Sequence, residues 1–388
     1  MKINQISTIL NQITAEMLGT EENIVKEDLS NIVDVGKQLK TADDTNVLLP
    51  SLIDKVARVW VDSRTYKGRI TSLNRTDDEW GSILQRITFE LPETSDNESW
   101  GLVDGTEYAP IYREPKVNSK LFNKYTTFDV EMSFTQDQLY SAFNSVDEFN
   151  AFVSGIYNAI ENRFRLCIES LSLRTINNFI SATLFDEIPE GNYAEHTGVK
   201  AVNLLKLYKT VTGDNTLTVD NALLSTDFLK FASTTLAEYV DYLHEYSTLF
   251  NIEGKERFTN EENLCAVMLS AFAKHCDSYL QSDTFHNEYT ALVKHDTVAK
   301  WQYTKSLEFK DLSQISTIFE DANKEKHEIS INGVVAVLYD KYACGIHRDR
   351  RRVDYDHSGR GGFNTYYYKE NAMYYNDFSE NFVVFFIQ

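Results

Sequence analysis

Arginine is the residue whose chemistry stands out most in this sequence, because four arginines fall within the five positions 348–352. A guanidinium group can form two parallel hydrogen bonds to a carboxylate or a phosphate, so such a run is suited to an ion-paired interface or to a polyanion. Asp349 and Asp354 lie within and just after the run, and no aromatic residues alternate with it. The pattern favours ion pairing between protein molecules, while a solvated β-turn and contact with a polyanion remain open.

Residue types that bind metals or attack substrates are present, but their spacing matches no recognised site. Four potential metal ligands lie between residues 265 and 286: Cys265, His275, Cys276 and His286. Cys265 and Cys276 fall on one face of a predicted helix, where a free cysteine is commonly a buried apolar residue. The glycine cluster 359–362 lacks the lysine and hydroxyl of a phosphate-binding loop, and no spacing of acidic residues marks a catalytic pair. We therefore predict no catalytic residue, no cofactor and no metal.

The composition narrows the classes of protein further. The chain has 388 residues, of which 42% are hydrophobic, and its 58 acidic and 38 basic residues give a formal net charge of −20. That much apolar side chain can bury a core, whereas the charge opposes bulk electrostatic binding to nucleic acid or to anionic membranes. Four cysteines without a C-x-x-C pair indicate a reducing compartment. Without a bilayer-length apolar run or a secretory signal, we expect a soluble protein of the cytoplasm.

Three short helices are predicted in the first 65 residues. Apolar residues recur at helical spacing from Ile3 to Met17 and from Leu29 to Leu39, and a third stretch runs from Ser51 to Trp60. Each of these helices has only a narrow apolar stripe. The sequence does not decide between a small helical subdomain and an arm that packs against another chain.

Residues 66–118 have the pattern of a long, acidic β-hairpin. The stretch 86–91 alternates as a strand does, and 106–113 has the pattern of a return strand that Pro110 would place at a sheet edge. Residues 75–115 contain ten acidic residues and three arginines, a net charge of −7. Because a two-stranded ribbon is only marginally stable alone in water, we expect it to lie on a surface, and its charge predicts that this surface is basic.

A strand followed by a long helix is the strongest structural prediction. Residues 128–134 alternate strictly between apolar and polar side chains, which is typical of an edge strand. Asp147 is then a candidate N-cap for a helix whose apolar positions continue at steps of three and four to about Ile180. The polar face of this helix carries Arg163, Arg165 and Arg174. The helix is therefore expected to present cations on its exposed side.

Helices and short strands alternate in the remainder of the chain. The predicted elements of the middle are helices over 199–211, 227–243 and 261–279 and a buried strand over 221–225. The predicted strands of the last 60 residues are 328–339, 344–347, 366–368 and 381–387. Because no series of alternating parallel strands and helices is present, the predicted fold class is α+β rather than Rossmann-like.

The order of these elements resembles a known family. The chain presents an N-terminal arm, an acidic hairpin, an edge strand, a long helix, a mixed middle and a terminal sheet. This order, the strand and helix over 128–180, and the stretches 333–346, 362–368 and 374–385 resemble the major capsid proteins of tailed phages with the HK97-like fold. The carboxyl-terminal stretches are similar to those of small podovirus-like phages.

The resemblance implies a domain organisation. Residues 1–65 would form an N-terminal arm and 66–118 an extended hairpin loop lying over a neighbouring subunit. Residues 119–198 would form a peripheral domain with the long helix as its spine. Residues 199–388 would form an axial domain, with strands that return to the peripheral domain, and it would pack around the centres of hexamers and pentamers.

The resemblance also implies a function, which is self-assembly into an icosahedral head that encloses double-stranded DNA without binding it specifically. A scaffolding protein and a portal protein would be partners, no membrane would take part, and the chain would be made in the cytoplasm of a host bacterium and act in the virion capsid. Copies that each carry a charge of −20 repel one another, so assembly needs complementary charges at their contacts. The candidate intersubunit residues are Glu79, Glu90, Glu93, Asp96, Glu98, Arg163, Arg165, Arg174, Arg348, Arg350, Arg351 and Arg352.

Two other functions remain open from the sequence. An encapsulin-type shell that holds cargo enzymes would share the fold, although encapsulin chains are typically shorter and lack so long an amino-terminal arm. A soluble enzyme of unknown reaction belongs to a different class. A chain that stayed monomeric or dimeric under all conditions would favour the enzyme.

Overall fold

The computed structural model describes residues 3–18, 25–26, 28–42, 70, 72–73, 84–92, 114–135, 146–283, 294–320 and 325–388. The helices are α1 (Ile3–Leu18), α2 (Ile32–Ala42), α3 (Val146–Glu187), α4 (Leu204–Thr212), α5 (Thr226–His244), α6 (Ser270–Asp283) and α7 (Phe309–Leu312). The strands are β1 (Leu84–Phe89), β2 (Val117–Phe122), β3 (Tyr125–Thr135), β4 (Ala201–Asn203), β5 (Leu264–Leu269), β6 (Asp296–Val298), β7 (Ile315–Glu320), β8 (Lys326–Ile331), β9 (Val334–Asp340), β10 (Cys344–Ser358), β11 (Phe363–Asn376) and β12 (Phe382–Phe386). Within these residues, every helix is too short or too polar to cross a membrane.

The main core surrounds a five-stranded mixed sheet with the strand order β4-β12-β9-β5-β6. Strands β9 and β12 pair antiparallel, and every residue of both is buried. Their continuous apolar runs are what a strand covered on both faces requires. The carboxyl-terminal half of α3 packs on this sheet, where the rings of Phe179 and Phe382 stack with their centroids 4.0 Å apart. Helices α4, α5 and α6 add buried side chains to the same core.

Gly333 separates β8 from β9. Its φ of 85° lies in the left-handed region, and a Cβ atom at this position would come within 2.1 Å of the carbonyl oxygen of Ile387. Only glycine fits this close approach of two backbones. The prediction of one continuous strand over 328–339 is therefore wrong, because the chain bends immediately before β9.

A second sheet is antiparallel and has the order β10-β11-β3, so β3 lies at an edge as predicted. One face of this sheet packs on α3 and buries Phe134, Tyr366 and Tyr368. Asp129 and Glu131 lie on the opposite, exposed face. Strands β10 and β11 are much longer than the sequence predicts, because their polar outer positions obscure the pattern of a strand.

Helix α3 joins the two sheets. It has 42 residues and is therefore about 63 Å long at 1.5 Å per residue. The predicted helix is confirmed in position, but it continues past Ile180 to Glu187. Asp147 lies in the first turn rather than at the cap, because the helix begins at Val146.

Three predictions in the middle of the chain are wrong for a common reason. Strand β4 precedes α4 where the sequence predicts one helix over 199–211, and β5 precedes α6 where it predicts one helix over 261–279. Residues 222–224 form a 3₁₀ turn instead of a strand. A short apolar run such as Leu264–Leu269 has no periodicity that separates a buried strand from a buried helix. Helix α5 confirms the helix predicted over 227–243.

Helix α1 confirms the first predicted helix, and α2 begins at Ile32, three residues after Leu29, whose φ of 59° is not helical. Asn11 holds the connection between them, because its side chain accepts a hydrogen bond from the N–H of Val25 and donates one to the C=O of the same residue. The helix predicted over 51–60 lies outside the described residues.

Candidate intersubunit surface

Strands β1 and β2 form a two-stranded antiparallel ribbon whose two faces differ in chemistry. In the ladder Arg86 lies opposite Lys120, so both side chains share one face, and this face is partly buried against the rest of the chain. Side chains at the alternate positions point to the other face. The exposed apolar residues of that outward face are Ile87, Phe89, Leu91, Val117 and Leu121.

The ribbon confirms the first strand of the predicted hairpin, which the sequence places at 86–91 and the structure at Leu84–Phe89. The return strand predicted over 106–113 lies outside the described residues. The strand that pairs with β1 is Val117–Phe122, and the ladder joins six residue pairs.

Arg86 anchors the ribbon to its own chain. Its guanidinium donates to Asp377 Oδ2 at 2.6 Å and to Glu380 Oε1 at 2.8 Å. Arg257 donates to the same Glu380 oxygen at 2.9 Å. Asp377 and Glu380 are almost completely buried, so the carboxylates belong to the body of the molecule and the ribbon brings a cation to them.

Lys120 adds a second cation on the opposite strand of the ribbon. It donates to Asp377 Oδ1 at 2.7 Å and to Glu253 at 2.6 Å. In one further pair the charges are reversed, because the ribbon supplies the carboxylate: Glu90 accepts a hydrogen bond from Lys255 of the body at 3.2 Å. The expectation of an acidic ribbon on a basic surface is wrong for these described contacts, because cations occupy the inward positions of both strands.

Burial and ion pairing shift the pKa values of the charged groups at this contact in opposite directions. Burial acts to lower the pKa of Arg86, but the attraction of Glu380 and Asp377 outweighs it and the pKa is raised. Burial acts to raise the pKa of Asp377, but hydrogen bonds from Lys120 and Ser379 outweigh it and the pKa is lowered. For Glu380, burial prevails over the attraction of Arg86, and the pKa is raised. Arg86 and Asp377 are therefore held in their charged forms.

The outward face of the ribbon is distinctive because most of its large side chains are apolar. Phe89, Leu121 and Ile87 are 68%, 65% and 55% exposed. A ribbon adapted to a monomer would turn its apolar side to the body and its ionic side to water. Grouped apolar side chains on a surface mark protein contacts. This face is therefore the best candidate for a surface that another molecule covers.

The arginine run lies in β10, where a β-bulge decides which arginines share a face. In the ladder Arg348 pairs with Ala372 and Arg351 pairs with Glu370, so β10 contains one extra residue between them. The bulge brings Arg348 and Arg351 to the same face of the sheet. Arg348 donates to Glu370 Oε1 at 2.7 Å, and Arg351 donates to Glu370 Oε2. The alternative of a β-turn for this run is therefore wrong.

Glu161 of α3 completes this buried network. It is 3% exposed and accepts from Arg351 and from Arg165, each at 3.3 Å. The guanidinium of Arg351 also lies 4.2 Å from the centre of the Phe164 ring. Arg351 thus joins α3 to the sheet of its own chain, and Arg348 pairs with Glu370 within that sheet, although the sequence predicts both arginines as intersubunit residues.

The other predicted intersubunit arginines that the structure describes are exposed. Arg163 and Arg352 lie on the surface, and Arg174 donates to the hydroxyl of Tyr374 at 3.1 Å. The candidate side chains outside the description are Glu79, Glu93, Asp96, Glu98 and Arg350. Pairing of the acidic residues with these arginines between molecules stays a prediction.

The residues considered as metal ligands do not come together in the described part of the chain. Cys265 lies on β5 and Cys276 on α6, so they do not share one helical face as predicted. Cys276 is buried as expected, and burial raises the pKa of its thiol to about 12, which opposes a metal-binding thiolate. His286 lies outside the described residues, and among those described no three His, Cys, Asp or Glu side chains are grouped to hold a metal.

Comparison with known proteins identifies the family. The sequence model of the Phi29-like phage major capsid proteins matches residues 9–386. The chain belongs to this family. No curated protein sequence matches this capsid protein significantly.

Three solved phage capsid structures are similar to this capsid protein. The capsid of Staphylococcus phage Andhra is 7% identical to this chain and has a TM-score of 0.47. The match covers 84% of this chain and 87% of the Andhra chain. The capsid of cyanophage P-SCSP1u is 12% identical, with coverages of 84% and 90% and a TM-score of 0.44. The mature capsid of bacteriophage PhiM1 is 8% identical, with coverages of 84% and 92% and a TM-score of 0.41. The family assignment rests on the sequence match.

Membership confirms the predicted identity. This capsid protein is a phage shell protein, a structural component of the virion capsid, and the residues that the structure describes form the predicted α+β architecture of mixed helix and sheet. The encapsulin and soluble-enzyme alternatives receive no support.

The sequence interpretation missed the residues that anchor the ribbon. Arg86 and Lys120 occupy inward positions of strands that alternate, and this alternation is the signal that could have identified them. Their carboxylate partner Asp377 lies 291 residues from Arg86 and 257 from Lys120, so no local pattern links them.

Proposed function

We propose that copies of this capsid protein assemble, as hexamers and pentamers, into an icosahedral shell that encloses packaged double-stranded DNA. The observation that carries the proposal is the apolar outward face of the β1–β2 ribbon, on which Ile87, Phe89 and Leu121 are more than half exposed. The inward face is already engaged in ion pairs to the same chain. A second copy of the chain is the partner that covers the outward face.

Two forces act on this contact. Removing apolar surface from water contributes about 25 cal/mol per Å², which favours covering the ribbon. The charge of −20 on each copy opposes assembly, so charges of opposite sign must meet at the contacts. We propose that these intersubunit charges are Glu79, Glu90, Glu93, Asp96 and Glu98 on the ribbon side and Arg163, Arg165, Arg174, Arg350 and Arg352 on the other side. Arg348 and Arg351 are left out because they are enclosed and neutralise Glu370 within the chain. Glu90 and Arg165 are kept because their side chains stay 31% and 44% exposed although they pair with Lys255 and Glu161 of the same chain.

The proposed division into two domains corresponds to the two sheets. Residues 119–198 form the peripheral domain and 199–388 the axial domain, which is built on the five-stranded sheet. The pairing of β11 with β3 supports this division, because it returns a late strand of the chain to the early one beside α3. Residues 66–118 form the extended loop over a neighbour, and residues 1–65 form the arm.

The proposal extends to the partners and the place of action. An acidic shell holds DNA by enclosure rather than by affinity, because bulk binding would require neutralised phosphates. A scaffolding protein guides assembly, and a portal protein occupies one vertex. The chain is made in the cytoplasm of the host bacterium and acts without catalytic activity.

A double substitution on the ribbon tests the proposal. Phe89→Glu with Leu121→Glu places two charges on the outward face, and we expect the particle yield to fall by about tenfold or more, since each buried apolar side chain of this size contributes about 1.5–3 kcal/mol. Both side chains are exposed in the single chain, so its folding should be unchanged. Electron microscopy and sedimentation measure the particles, and circular dichroism measures folding.

The matched control is Val211→Glu with Leu224→Glu, which adds the same charges at apolar positions of similar exposure, 65% and 64%, outside the ribbon. This control should assemble normally. Normal particles from the ribbon variant, or an equal loss in both variants, would contradict the proposal.

A further inference from the structure

A groove beside α3 has the size and the lining of a site for a small molecule. It lies between the helix and the segment 298–303, and its volume is about 530 Å³. Its apolar lining includes Leu166 and Leu173 of the helix and Trp301 and Tyr303 of the segment. Sites for small ligands are concave, mostly apolar and about 300–1,000 Å³ in volume. The groove is therefore large enough for a ligand with one or two aromatic rings.

Hydrogen bonds hold the wall of the groove that faces the helix. Trp301 is fully buried, and its indole N–H donates to the carbonyl of Val334 at 2.9 Å. The side chain of Gln302 donates to the carbonyl of Ser316 at 2.6 Å and accepts from the N–H of the same residue at 3.0 Å. A site that is already formed loses little conformational entropy when a ligand binds. The groove thus meets the entropic requirement for binding a small molecule.

An unmet hydrogen bond in the groove points independently to a ligand. Asn177 lines the groove and is 3% exposed. Its amide nitrogen donates to the carbonyl of Trp301 at 2.9 Å, and because a carbonyl can only accept, this contact fixes which way the amide faces. The other amide atom, Oδ1, has no hydrogen-bond partner among the described residues. Buried acceptors without a donor are rare and costly, so a ligand with an N–H group would fit here.

The charges of the lining select an anionic ligand. Arg174 and Lys300 line the groove, and neither has a carboxylate partner among the described residues. Arg174 donates to the hydroxyl of Tyr374, and Lys300 donates to the carbonyl of Thr304. The lining contains one acidic residue, Glu169, so two cations and one anion leave a net charge of +1. A carboxylate carries the single negative charge that balances this excess, whereas a phosphate group carries up to two.

We propose that this groove binds a small aromatic carboxylate that carries a ring N–H group. The ring packs between Leu166 and Tyr303, the N–H donates to Asn177 Oδ1, and the carboxylate faces Arg174 and Lys300. The site belongs to the single chain, so its binding of the ligand is independent of shell assembly.

Three related probes test the proposed contacts. Indole-3-acetate combines the aromatic ring, the N–H and the carboxylate, and its binding to the full-length, unassembled chain is titrated by saturation-transfer NMR. 1-Methylindole-3-acetate lacks the donor and should bind about tenfold more weakly, since it leaves Asn177 Oδ1 buried and unpaired. The methyl ester of indole-3-acetate lacks the charge and should bind about threefold more weakly, as expected for ion pairs at an exposed rim.

A pair of tryptophan substitutions on α3 locates the binding. Ser170 lines the groove and is exposed, so Ser170→Trp fills the groove from its rim without entering the core. We expect the affinity for indole-3-acetate to fall by about tenfold or more, because the new side chain takes the volume that the ring needs. Asn158→Trp is the matched control at an exposed position of the same helix outside the groove lining, and it should bind as the native chain does. Circular dichroism checks the folding of both variants.

Each outcome of these measurements decides for or against the site. The proposal is overturned if the native chain binds none of the probes, if the N–H and N-methyl probes bind equally, or if both tryptophan variants lose affinity to the same extent. Any of these results would leave the proposed shell assembly intact. A failure of the chain to form particles would contradict the proposed function without affecting the groove.

Discussion

Two networks of arginine and carboxylate side chains organise this capsid protein, and they differ in what surrounds them. The helix network joins α3 to the three-stranded sheet through Glu161, Arg348, Arg351 and Glu370. The ribbon network holds the β1–β2 ribbon on the body through Arg86, Lys120, Asp377 and Glu380. Glu370 is 0% exposed, whereas the Arg86 side chain is 20% exposed and that of Lys120 is 32% exposed.

Pairing of cationic side chains with carboxylates therefore has two roles in this protein. In the helix network it stabilises the core, and in the ribbon network it attaches an exposed ribbon to the rest of the chain. The cations of the helix network are enclosed, because the side chains of Arg348 and Arg351 are only 9% and 5% exposed. The ribbon network lies under a ribbon whose far side is apolar and exposed. Removing one partner of a buried pair leaves an uncompensated charge, whereas a partly exposed pair can be replaced by water. We therefore expect the helix network to control folding and the ribbon network to control the position of the ribbon.

The largest effect is predicted for Glu370→Leu. This change leaves Arg348 buried without its carboxylate and removes one of the two partners of Arg351. We expect the free energy of unfolding of the unassembled chain to fall by about 3–5 kcal/mol, measured by urea denaturation. Glu195→Leu is the control, because it removes an exposed pair with Lys206 and should change stability by about 0–1 kcal/mol. An effect of Glu370→Leu no larger than that of Glu195→Leu would contradict the view that the helix network controls folding.

An intermediate effect is predicted for Arg86→Met. Asp377 keeps Lys120 and Glu380 keeps Arg257, so the body retains its pairs and only the ribbon loses an anchor. Hydrogen bonds to charged groups contribute about 1.5–3 kcal/mol, so hydrogen exchange of β1 and β2 should accelerate by about tenfold or more. Exchange of the buried strands β9 and β12 should not change. Arg352→Met, at an exposed position of β10, is the control; acceleration throughout the molecule would show that the ribbon is part of the core.

The smallest effect is predicted for acidification. The pKa of Asp377 is lowered in the docked state despite burial, which acts to raise it, because Lys120 and Ser379 donate to the carboxylate. Its contribution is therefore fully present above the ordinary value of 3.8 and is lost as the pH falls through the lower, docked pKa. Glu380 acts in the opposite sense: burial raises its pKa above 4.5, so its contribution is lost as the pH rises through that pKa.

A spin label at Ser119→Cys, on the exposed side of β2, measures this release as increased mobility below pH 3.8. The chain with the native Ser119 gives the background from its own cysteines. Asp377→Asn should abolish the acid-dependent step, and a step of unchanged size in that variant would assign the release to another group.

Much of the architecture could be predicted because it depends on local patterns of apolar and polar residues in the sequence. The strict alternation of residues 128–134 and the three-and-four spacing after residue 147 gave β3 and α3 their positions. The predicted helices over 199–211 and 261–279 each proved to contain a strand, because an apolar run of three to six residues has the same local signature in either state. The arginine run correctly indicated residues that form ion pairs, but it did not identify the carboxylates with which they pair.

By itself, the sequence determined the family, the α+β class, the long helix and the acidic stretch between the ribbon strands. Only the tertiary structure decided which face of the ribbon turns inward, and that Arg86 meets Asp377 at a separation of 291 residues. It also decided that a bulge in β10 gives Arg348 and Arg351 a common carboxylate. The physical reason is that periodicity reports the local conformation of the backbone. The pairing of charges, in contrast, depends on which distant segments the packed core brings together.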